Sequence, residues 1–319
     1  MKYNFLPALQ MALIEACQGS TSIKNPGGGC DKMLGPSKGL IVGPTDWVIP
    51  DTTTDIVSVI KEQIHAPAGS RVYIVANFTR PIFNMTVEAA TAVEETSDYT
   101  GEIIYLRSGT ENRTYKTTKG GLCLAKAWAT FRNSGLGFMD IDGAGLYTMY
   151  KDTESGDYSL ITALNMGGAG IDTASGSTVF KNNFRLSYDP DQYINATVFD
   201  GGYGLLSLKN LEDVDVEAGT QTQTTTNIFV KVLTECGGRD LVSLLGADLA
   251  QVTNFHVTNH ATGATVTITA AAIQNGEVKL TGTFVSAQAY DVALADTTTL
   301  YANDIFYYEG QGVATVTIP

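Results

Sequence analysis

The C-terminal part of the chain, from residue 227 onwards, consists of short segments in which apolar and polar residues alternate. The segments are IFVKVLTE, NFHVTN, TVTITA, EVKLTGTF, YDVALA, IFYYEG and VATVTIP. Alternation with a period of two places successive side chains on opposite faces of a strand, so each segment predicts a half-buried β-strand. The polar stretches between them, such as TGA, QNGE and EGQG, are typical of turns. Seven strands in so short a region constrain it to an all-β fold.

This arrangement is typical of an immunoglobulin-like β-sandwich, and we expect residues 227–319 to form one. The region has no Cys…Trp…Cys set, so the prediction is a generic sandwich and not an antibody-type domain. Before it, residues 206–226 pass from an acidic stretch, EDVDVEA, to TQTQTTT. We interpret residues 206–226 as a linker between two domains.

Residues 51–205 are expected to form a β-rich body with two short helices. The stretch TTTDIVSVIKEQIH has apolar residues at positions 56, 57, 60 and 64, which is helical spacing. Asp51 offers an N-cap, and Pro67 ends the helix. In the second helix, GGLCLAKAWATFRN, the side chains of Leu124, Trp128 and Phe131 share one face.

Between and after these helices the pattern predicts strands. RVYIVANF is one strand, and EIIYLRSG with NRTYKTT predicts a hairpin. Four further segments predict successive strands joined by Gly, Asp and Asn turns: GFMDIDGAGLYTMYKD, YSLITALNM, STVFKNNFRLSYDP and YINATVFD. The whole chain is therefore predicted to be mainly β, with a sandwich- or barrel-forming body.

Residues 1–50 are expected to form an N-terminal helix or arm followed by an extended loop. Gln10 and Glu15 interrupt the apolar run that a signal peptide would need before Cys17. Residues 18–50 are rich in Gly, Pro, Ser and Thr, and only GLIV and WVI look like strands. A loop of this length is unusual inside a compact monomer, so we expect it to become ordered against a neighbouring subunit. The chain has no run of about 18 apolar residues, so no transmembrane span is predicted.

The segment GFMDIDGAGLY, residues 137–147, is the one that most resembles a ligand site. An EF-hand loop starting at Asp140 needs an oxygen ligand at position 5, glycine at position 6 and glutamate at position 12. Here position 4 is already Gly143 and position 12 is Lys151. We interpret the segment as a hairpin whose turn is Asp142–Gly143, because Asp-Gly supplies the positive φ angles that tight turns need.

The three histidines do not predict a metal site. His256 and His260 lie four apart in HVTNH, but this segment is expected to be a strand running into a turn. Residues i and i+4 of a strand lie about 13 Å apart, which is too far for one zinc ion.

The four cysteines, Cys17, Cys30, Cys123 and Cys236, have no CxxC spacing. We interpret them as reduced thiols of a protein made in the cytosol, with a Cys17–Cys30 bridge as the alternative. The sequence has no GxSxG nucleophile motif, and GPSKG lacks the order of a phosphate-binding loop. Carboxylate clusters such as EETSD are typical of solvated strand faces. We therefore assign no catalytic, cofactor-binding or metal-binding residue and no cofactor, and we do not expect an enzyme.

The chain has 20 basic and 33 acidic residues, for a net charge of −13. Such a surface repels nucleic acid and anionic membranes at long range, which argues against a protein that grips DNA. It is compatible with a surface past which DNA slides without adhering.

Five features, in this order, carry a family resemblance: the Gly/Pro-rich arm, the short helix after PDTTTD, the β-rich body, the helix in GGLCLAKAWATF and the closing strand FRLSYDPDQY. With them, residues 1–205 resemble tailed-bacteriophage virion structural proteins, most of all tail tube (major tail) proteins. An appended immunoglobulin-like domain is similar to those that decorate phage tube and capsid subunits.

The resemblance implies a subunit whose sheets join those of its neighbours into a closed barrel, ring on ring, with the arm reaching the next ring. Its partners would be copies of itself and other virion proteins, in a virion assembled in the host bacterial cytoplasm. DNA would pass through an acidic lumen without specific binding, and no membrane would be involved. Two alternatives stay open: a capsid or capsid-decoration protein, and an exported cell-surface β-sandwich module that binds glycans or proteins.

Overall fold

The computed structural model describes residues 14–15, 35–88, 93–96, 103–107, 109–152, 154–175, 179–188 and 196–319. The chain divides into two compact units. The first unit comprises Met1–Gln63 and Gly69–Lys209, and the second comprises Ile64–Ala68 and Asn210–Pro319. The predicted fold class is confirmed, since the protein is mainly β, with 45% strand and 16% helix.

The first unit contains fourteen of the described strands and is built around one large sheet. The strands are β1 Ile14–Glu15, β2 Ser37–Gly43, β3 Val48–Ile49, β4 Tyr73–Ala76, β5 Asn84–Glu88, β6 Val93–Thr96, β7 Ile103–Arg107, β8 Glu111–Thr117, β9 Gly137–Asp142, β10 Tyr147–Lys151, β11 Tyr158–Ser159, β12 Ile161–Asp172, β13 Lys181–Tyr188 and β14 Ala196–Asp200. Twelve of them form the large sheet, in the order β1-β14-β10-β9-β12-β13-β8-β5, with β2, β3, β4 and β11 branching from this path.

Strand β9 lies at the centre of this sheet. It pairs along its length with β2, and it also pairs with β10 at Ile141 and with β12 at Phe138. All six residues of β9 are buried. The first six residues of the segment that most resembled a ligand site therefore form a fully buried strand, and the exposed turn residues Gly143 and Ala144 follow it.

Helix α2, Gly121–Ala129, packs on the core of the first unit as predicted. Leu124 and Trp128 are buried in one cluster with Phe184 of β13, and the Trp128 and Phe184 rings meet edge to face at 5.4 Å. Phe131, just after the helix, is buried in the same cluster. The predicted apolar face is confirmed.

Helix α1, Ile56–Ile64, also forms where it was predicted, but its N-terminal cap is a different residue. The Asp55 carboxylate accepts hydrogen bonds from the backbone N–H groups of Val57 and Ser58, both at 3.1 Å. Asp51 lies too far before the helix to reach its first free N–H groups, so its assignment as the cap was wrong.

The second unit is a β-sandwich of eight strands and two short helices. A third helix of the first unit, α3 Tyr203–Ser207, precedes the second unit in the chain. The strands of the second unit are β15 Glu212–Ala218, β16 Asn227–Thr234, β17 Phe255–Asn259, β18 Ile268–Gln274, β19 Glu277–Gly282, β20 Ala289–Leu294, β21 Tyr308–Gly310 and β22 Val313–Thr317. Its helices are α4 Leu241–Leu245 and α5 Thr297–Ala302. One sheet has the order β18-β19-β16-β15-β21 and the other β17-β20-β22. Both sheets contribute to a single core.

The interpretation of residues 206–226 as a linker was wrong for its central part. Val214 and Val216 of β15 are buried in the sandwich core, while the acidic residues of this strand alternate with them. Strand β15 pairs antiparallel with β16 and parallel with β21. Seven strands were predicted in the C-terminal region, and β15 adds an eighth.

The strands predicted at GLIV and WVI are confirmed as β2 and β3, but the interpretation of residues 1–50 as an arm and extended loop was wrong for residues 37–43, which lie inside the large sheet. Strand β2 pairs with both β9 and β4, and Leu40, Ile41 and Val42 are fully buried. At the N-terminus, Ile14–Glu15 pairs antiparallel with β14, where a helix or arm was expected. Residues 1–13 and 16–34 of the predicted arm and loop lie outside the described residues.

The predicted hairpin between EIIYLRSG and NRTYKTT was also wrong. Strand β7 pairs with β6 in a separate two-stranded sheet, whereas β8 pairs with β5 and β13. Both segments are strands, but alternation along a strand does not specify its partner.

Candidate functional site

Asp142 closes the turn between β9 and β10. Its Oδ1 atom accepts hydrogen bonds from the N–H groups of Ala144 and Leu146, both at 2.8 Å. Its Oδ2 atom accepts one from the Gly35 N–H, also at 2.8 Å. Both oxygens of the Asp142 carboxylate therefore already accept backbone hydrogen bonds, and these bonds hold the turn as a bound cation would in a calcium loop.

The predicted hairpin is confirmed, but its special backbone position is not the one expected. Gly145 has a φ of +80°, whereas Gly143 does not have a positive φ. A Cβ atom on Gly145 would lie 2.8 Å from the ring of Tyr203, and one on Gly143 would meet only the Lys38 side chain at an ordinary 3.4 Å. The turn therefore requires glycine at position 145, where the backbone has a positive φ and no space for a side chain.

Asp140 is the centre of a buried polar cluster in the first unit. Its Oδ2 atom accepts a hydrogen bond from Arg113 Nη1 at 2.7 Å, and its Oδ1 atom accepts one from the Tyr115 hydroxyl at 2.9 Å and one from Ser37 Oγ at 3.1 Å. All four residues are at least nine-tenths buried. A buried carboxylate needs such partners because desolvation of an unpaired charge costs several kcal/mol.

The environment of the cluster sets the ionisation of its members. Burial raises the pKa of Asp140, and the Arg113 charge together with the three hydrogen bonds opposes this rise. Burial also raises the pKa of Tyr115, and the neighbouring Asp140 carboxylate adds to that effect. Both oxygens of Asp140 are occupied by donors and shielded from solvent, so the cluster can hold strands in register but cannot act on a substrate.

Arg113 extends this cluster towards the surface. Its Nε atom donates to Glu111 at 3.0 Å, and its guanidinium lies 4.7 Å from the centre of the Tyr188 ring. The Tyr188 hydroxyl donates to the same Glu111 carboxylate. No sequence signal identified this network, because its members lie on β2, β8, β9 and β13 and come together only in the folded sheet.

A groove of about 600 Å³ opens beside the cluster, between residues 35–38 and 82–85. Its two walls are joined by a hydrogen bond from the Ile82 N–H to the Lys38 carbonyl at 3.2 Å. Phe83, in one wall, is 64% exposed. A single exposed aromatic side chain is ordinary on a protein surface, so Phe83 carries weight only together with the exposed apolar residue Val87 of the strand that follows.

Strand β5 continues from this groove and forms an edge of the large sheet. Among the described strands it pairs only with β8. Met85 and Val87 project to the same face as Tyr115 and Arg113, and Val87 is 48% exposed. The alternate residues Asn84, Thr86 and Glu88 are also exposed. Within the described part of the first unit, this edge and its apolar residues Met85 and Val87 form the most plainly incomplete surface, and we call Asn84–Glu88 the β5 edge.

The opposite face of the sheet beside this edge is polar. Arg185 of β13 forms an ion pair with Glu88 at 3.2 Å, and Lys116 of β8 forms one with Asp172 at 3.4 Å. Asn183 donates to Asp172 at 2.9 Å, and this bond lowers the pKa of that carboxyl group. Because these charged side chains are exposed to water, this polar face is an ordinary protein surface. The features of the β5 edge that favour binding of another chain are the apolar side chains on the other face and the strand side without a partner.

The histidines lie apart from these features. His256 is exposed on β17, and His260 follows that strand with its Nδ1 atom 2.9 Å from Asp291 Oδ2, so the predicted strand running into a turn is confirmed. His65 is buried in the second unit. Within the described residues, no group of three or more His, Cys, Asp and Glu side chains is placed to hold a metal ion.

The interpretation of the cysteines as reduced thiols was wrong for the two that the structure describes. Cys123 on α2 and Cys236 after β16 are both disulfide-bonded. Cysteine spacing carries no information here, because a disulfide depends on the approach of two side chains in the fold. The proposed Cys17–Cys30 bridge lies outside the described residues.

Comparison with protein-family models and with curated proteins finds no match to this chain. In the part of the chain that the structure describes, no helix is both long enough and apolar enough to cross a membrane. The case for a function therefore rests on the geometry of the β5 edge, the buried Asp140 cluster and the charge of the chain.

Proposed function

We propose that this chain is a non-enzymatic virion structural subunit that assembles with copies of itself, most specifically a tail tube protein whose rings form an acidic conduit for DNA. The observation that carries the proposal is the β5 edge. An exposed edge strand with apolar side chains is a site for pairing with another chain, and proteins that stay monomeric protect such edges. A strand from a neighbouring subunit would continue the large sheet.

The Asp140 cluster supports this proposal because it stiffens the sheet near the edge. Arg113 and Tyr115 belong to β8, the direct neighbour of β5, and Asp140 belongs to the central strand β9. A subunit that repeats its contacts around a ring needs an edge held in one position. A buried ion pair whose carboxylate accepts three hydrogen bonds provides that rigidity.

The net charge of −13 supports the part of the proposal in which DNA passes through a channel lined by this protein. DNA carries about one negative charge per 1.7 Å of helix axis, so an acidic wall repels it and offers no stable contact. DNA would therefore pass without specific binding, and the partners are other copies of this chain and other virion proteins.

Size-exclusion chromatography with light scattering tests the role of the β5 edge. The double variant Thr86→Lys, Val87→Lys places two cations on the edge, which discourages strand pairing. We expect wild type to elute as an oligomer and the variant as a monomer. The matched control is Val285→Lys, at a 54% exposed position of the second unit, which should keep the wild-type mass. A monomeric wild type, or an oligomer unaffected by the double variant, would contradict the proposal.

One observation favours a second candidate, an exported cell-surface β-sandwich module. Disulfides such as those of Cys123 and Cys236 persist in oxidising compartments and are rare in the bacterial cytosol. Fractionation of source material separates the candidates. Recovery in assembled particles supports the virion subunit, and recovery in the cell envelope, with a glycan or protein ligand, supports the surface module.

A further inference from the structure

A groove of about 490 Å³ lies on the outer face of the five-stranded sheet of the second unit. Thr, Gln and Asn side chains line it, together with Phe229 of β16 and Lys279 of β19, which are directly opposite each other in the sheet. Val278 and Leu280 are buried in the sandwich core, so the side chain of Lys279 between them points outwards. On its other side Lys279 is paired with Ala272 of the edge strand β18, whose methyl group is too short to cover it.

The loop 219–226 forms one wall of this groove, and hydrogen bonds hold it against the sheet. The Glu277 carboxylate, which is only 3% exposed, accepts bonds from the N–H and the hydroxyl group of Thr220 at 2.7 and 2.6 Å. Gln221 Nε2 donates to the Gln274 carbonyl at 2.8 Å. The wall is therefore held by bonds within the protein itself, and a ligand would not have to order it.

Lys279 is the cation of this unit that has no anionic partner. Residues 210–319, all of which the structure describes, contain three Lys and Arg residues. The other two, Lys231 and Arg239, each lie within ion-pair distance of a glutamate. The Lys279 side chain forms no hydrogen bond or ion pair with any described residue. An ammonium group in this position attracts an anion, and a carboxylate binds it through a charge-assisted hydrogen bond.

Two further polar groups of the groove are neutral and unused. The Thr222 hydroxyl and the Gln274 side-chain amide have no hydrogen-bond partner among the described residues. Hydroxyl and amide groups both donate and accept, which suits them to the hydroxyl groups of a sugar. Phe229 is only 6% exposed, so the groove offers no open apolar pocket for the side chains of a peptide. The lining therefore favours a hydroxyl-rich ligand that carries a carboxylate.

We propose that this groove binds an acidic saccharide. Lys279 Nζ donates to the carboxylate of a uronic acid unit, and Thr222 and Gln274 form hydrogen bonds with the sugar hydroxyl groups. The site belongs to the second unit alone and does not depend on assembly through the β5 edge. Loss of sugar binding and loss of self-assembly are separate results, so either proposal can fail without the other.

Equilibrium dialysis of the full-length chain against a trimer of galacturonic acid tests the site. We expect this trimer to bind at least about tenfold more tightly than the matched neutral trimer of galactose, which has no carboxylate for Lys279. Added salt should weaken the binding of the acidic trimer. Equal binding of the two sugars, or no binding of the acidic one, would overturn the proposal. Tighter binding of a glutamate trimer would also overturn it, by assigning the groove to an acidic peptide.

The variant Lys279→Met tests the role of the cation, because it removes the ammonium group and keeps an unbranched side chain. We expect it to bind the acidic trimer at least about tenfold more weakly than wild type. The matched control Arg239→Met removes a cation that pairs with Glu212, at the opposite end of β15 from the loop, and should bind as wild type does. If Lys279→Met folds and binds like wild type, the proposal is wrong. If it fails to fold, the comparison of the two sugars on wild type decides.

Discussion

Arg113 Nη1 lies 2.7 Å from Asp140 Oδ2, although the two residues belong to strands that do not pair with each other. The bond ties β8, beside the open edge strand β5, to the central strand β9. Because both side chains are buried, each depends on the other to offset its desolvation. The pair connects the core of the first unit with the surface through which we propose it assembles.

Removing the cation should strongly destabilise the first unit. Arg113→Met leaves the Asp140 carboxylate buried without its counter-ion, and such changes cost about 3–5 kcal/mol of unfolding free energy. The matched control is Arg185→Met, which removes an ion pair with Glu88 at the surface and should cost about 1 kcal/mol or less. Urea unfolding at pH 7 measures both. Equal costs for the two variants would mean that the buried pair has no special role.

The destabilisation by Arg113→Met should depend on pH. Burial raises the pKa of Asp140 above its ordinary value of 3.8, and Arg113 counteracts that rise, so the variant should have a still higher pKa. An acid whose pKa is higher in the folded state binds its proton more readily when folded, so folding loses stability as the pH rises above 3.8. The cost of the variant should therefore be smaller at pH 4 than at pH 7. A cost that is unchanged or larger at pH 4 would contradict this assignment.

The turn between β9 and β10 should be sensitive at Gly145 and tolerant at Gly143. Gly145→Val forces a branched side chain into a positive φ and against Tyr203, and we expect a loss of about 2 kcal/mol or more. Gly143→Ala should change stability by about 0.5 kcal/mol or less. Thermal unfolding of the two variants measures the difference.

Calcium provides the complementary test of the same turn. Its addition should leave the melting temperature of wild type unchanged, because Asp142 already accepts three backbone N–H bonds. A rise of several degrees would show that the loop binds the ion after all.

Glu277 should make the stability of the second unit depend on pH in the acid range. Burial alone would raise the pKa of its carboxyl group, but hydrogen bonds from Thr220 and Gln221 outweigh this and lower it below 4.5. The lowered pKa means that this stabilisation is complete above pH 4.5 and is lost as the pH falls through the folded-state value. Glu277→Gln should cost about 1–3 kcal/mol at pH 7 and flatten the acid limb of the stability curve. The exposed control Glu217→Gln should leave both the stability and the curve near wild type.

Sequence patterns predicted elements well where side-chain periodicity alone decides them. Helices α1 and α2 formed around the expected apolar residues, and each of the seven C-terminal segments contains all or part of a strand. The predictions were wrong where the amino-acid composition of a segment was used to judge whether it is buried. The strand predicted at GLIV formed, but its Gly- and Pro-rich surroundings suggested an extended arm, whereas Leu40–Val42 lie in the core of the first unit. The acidic stretch EDVDVEA suggested a linker, whereas Val214 and Val216 face the sandwich interior.

The candidate sites depended on contacts that a sequence pattern does not encode. Arg113 and Asp140 are 27 residues apart, and Ser37 and Asp140 are 103 apart. Nothing in local spacing distinguishes these residues from ordinary strand and loop positions. Likewise, the open edge at β5 became visible only when the pairing of β8 with β5 and β13 was known.

Negative-stain electron microscopy of the purified full-length chain tests the proposed function most directly. If copies join through the β5 edge into a tail tube, the images should contain rings with a central channel, or hollow tubes built from stacked rings. The variant Thr86→Lys, Val87→Lys should show neither, and Val285→Lys should show the same assemblies as wild type. Closed shells would indicate a capsid protein, and monomers alone at all protein concentrations would contradict a self-assembling virion subunit.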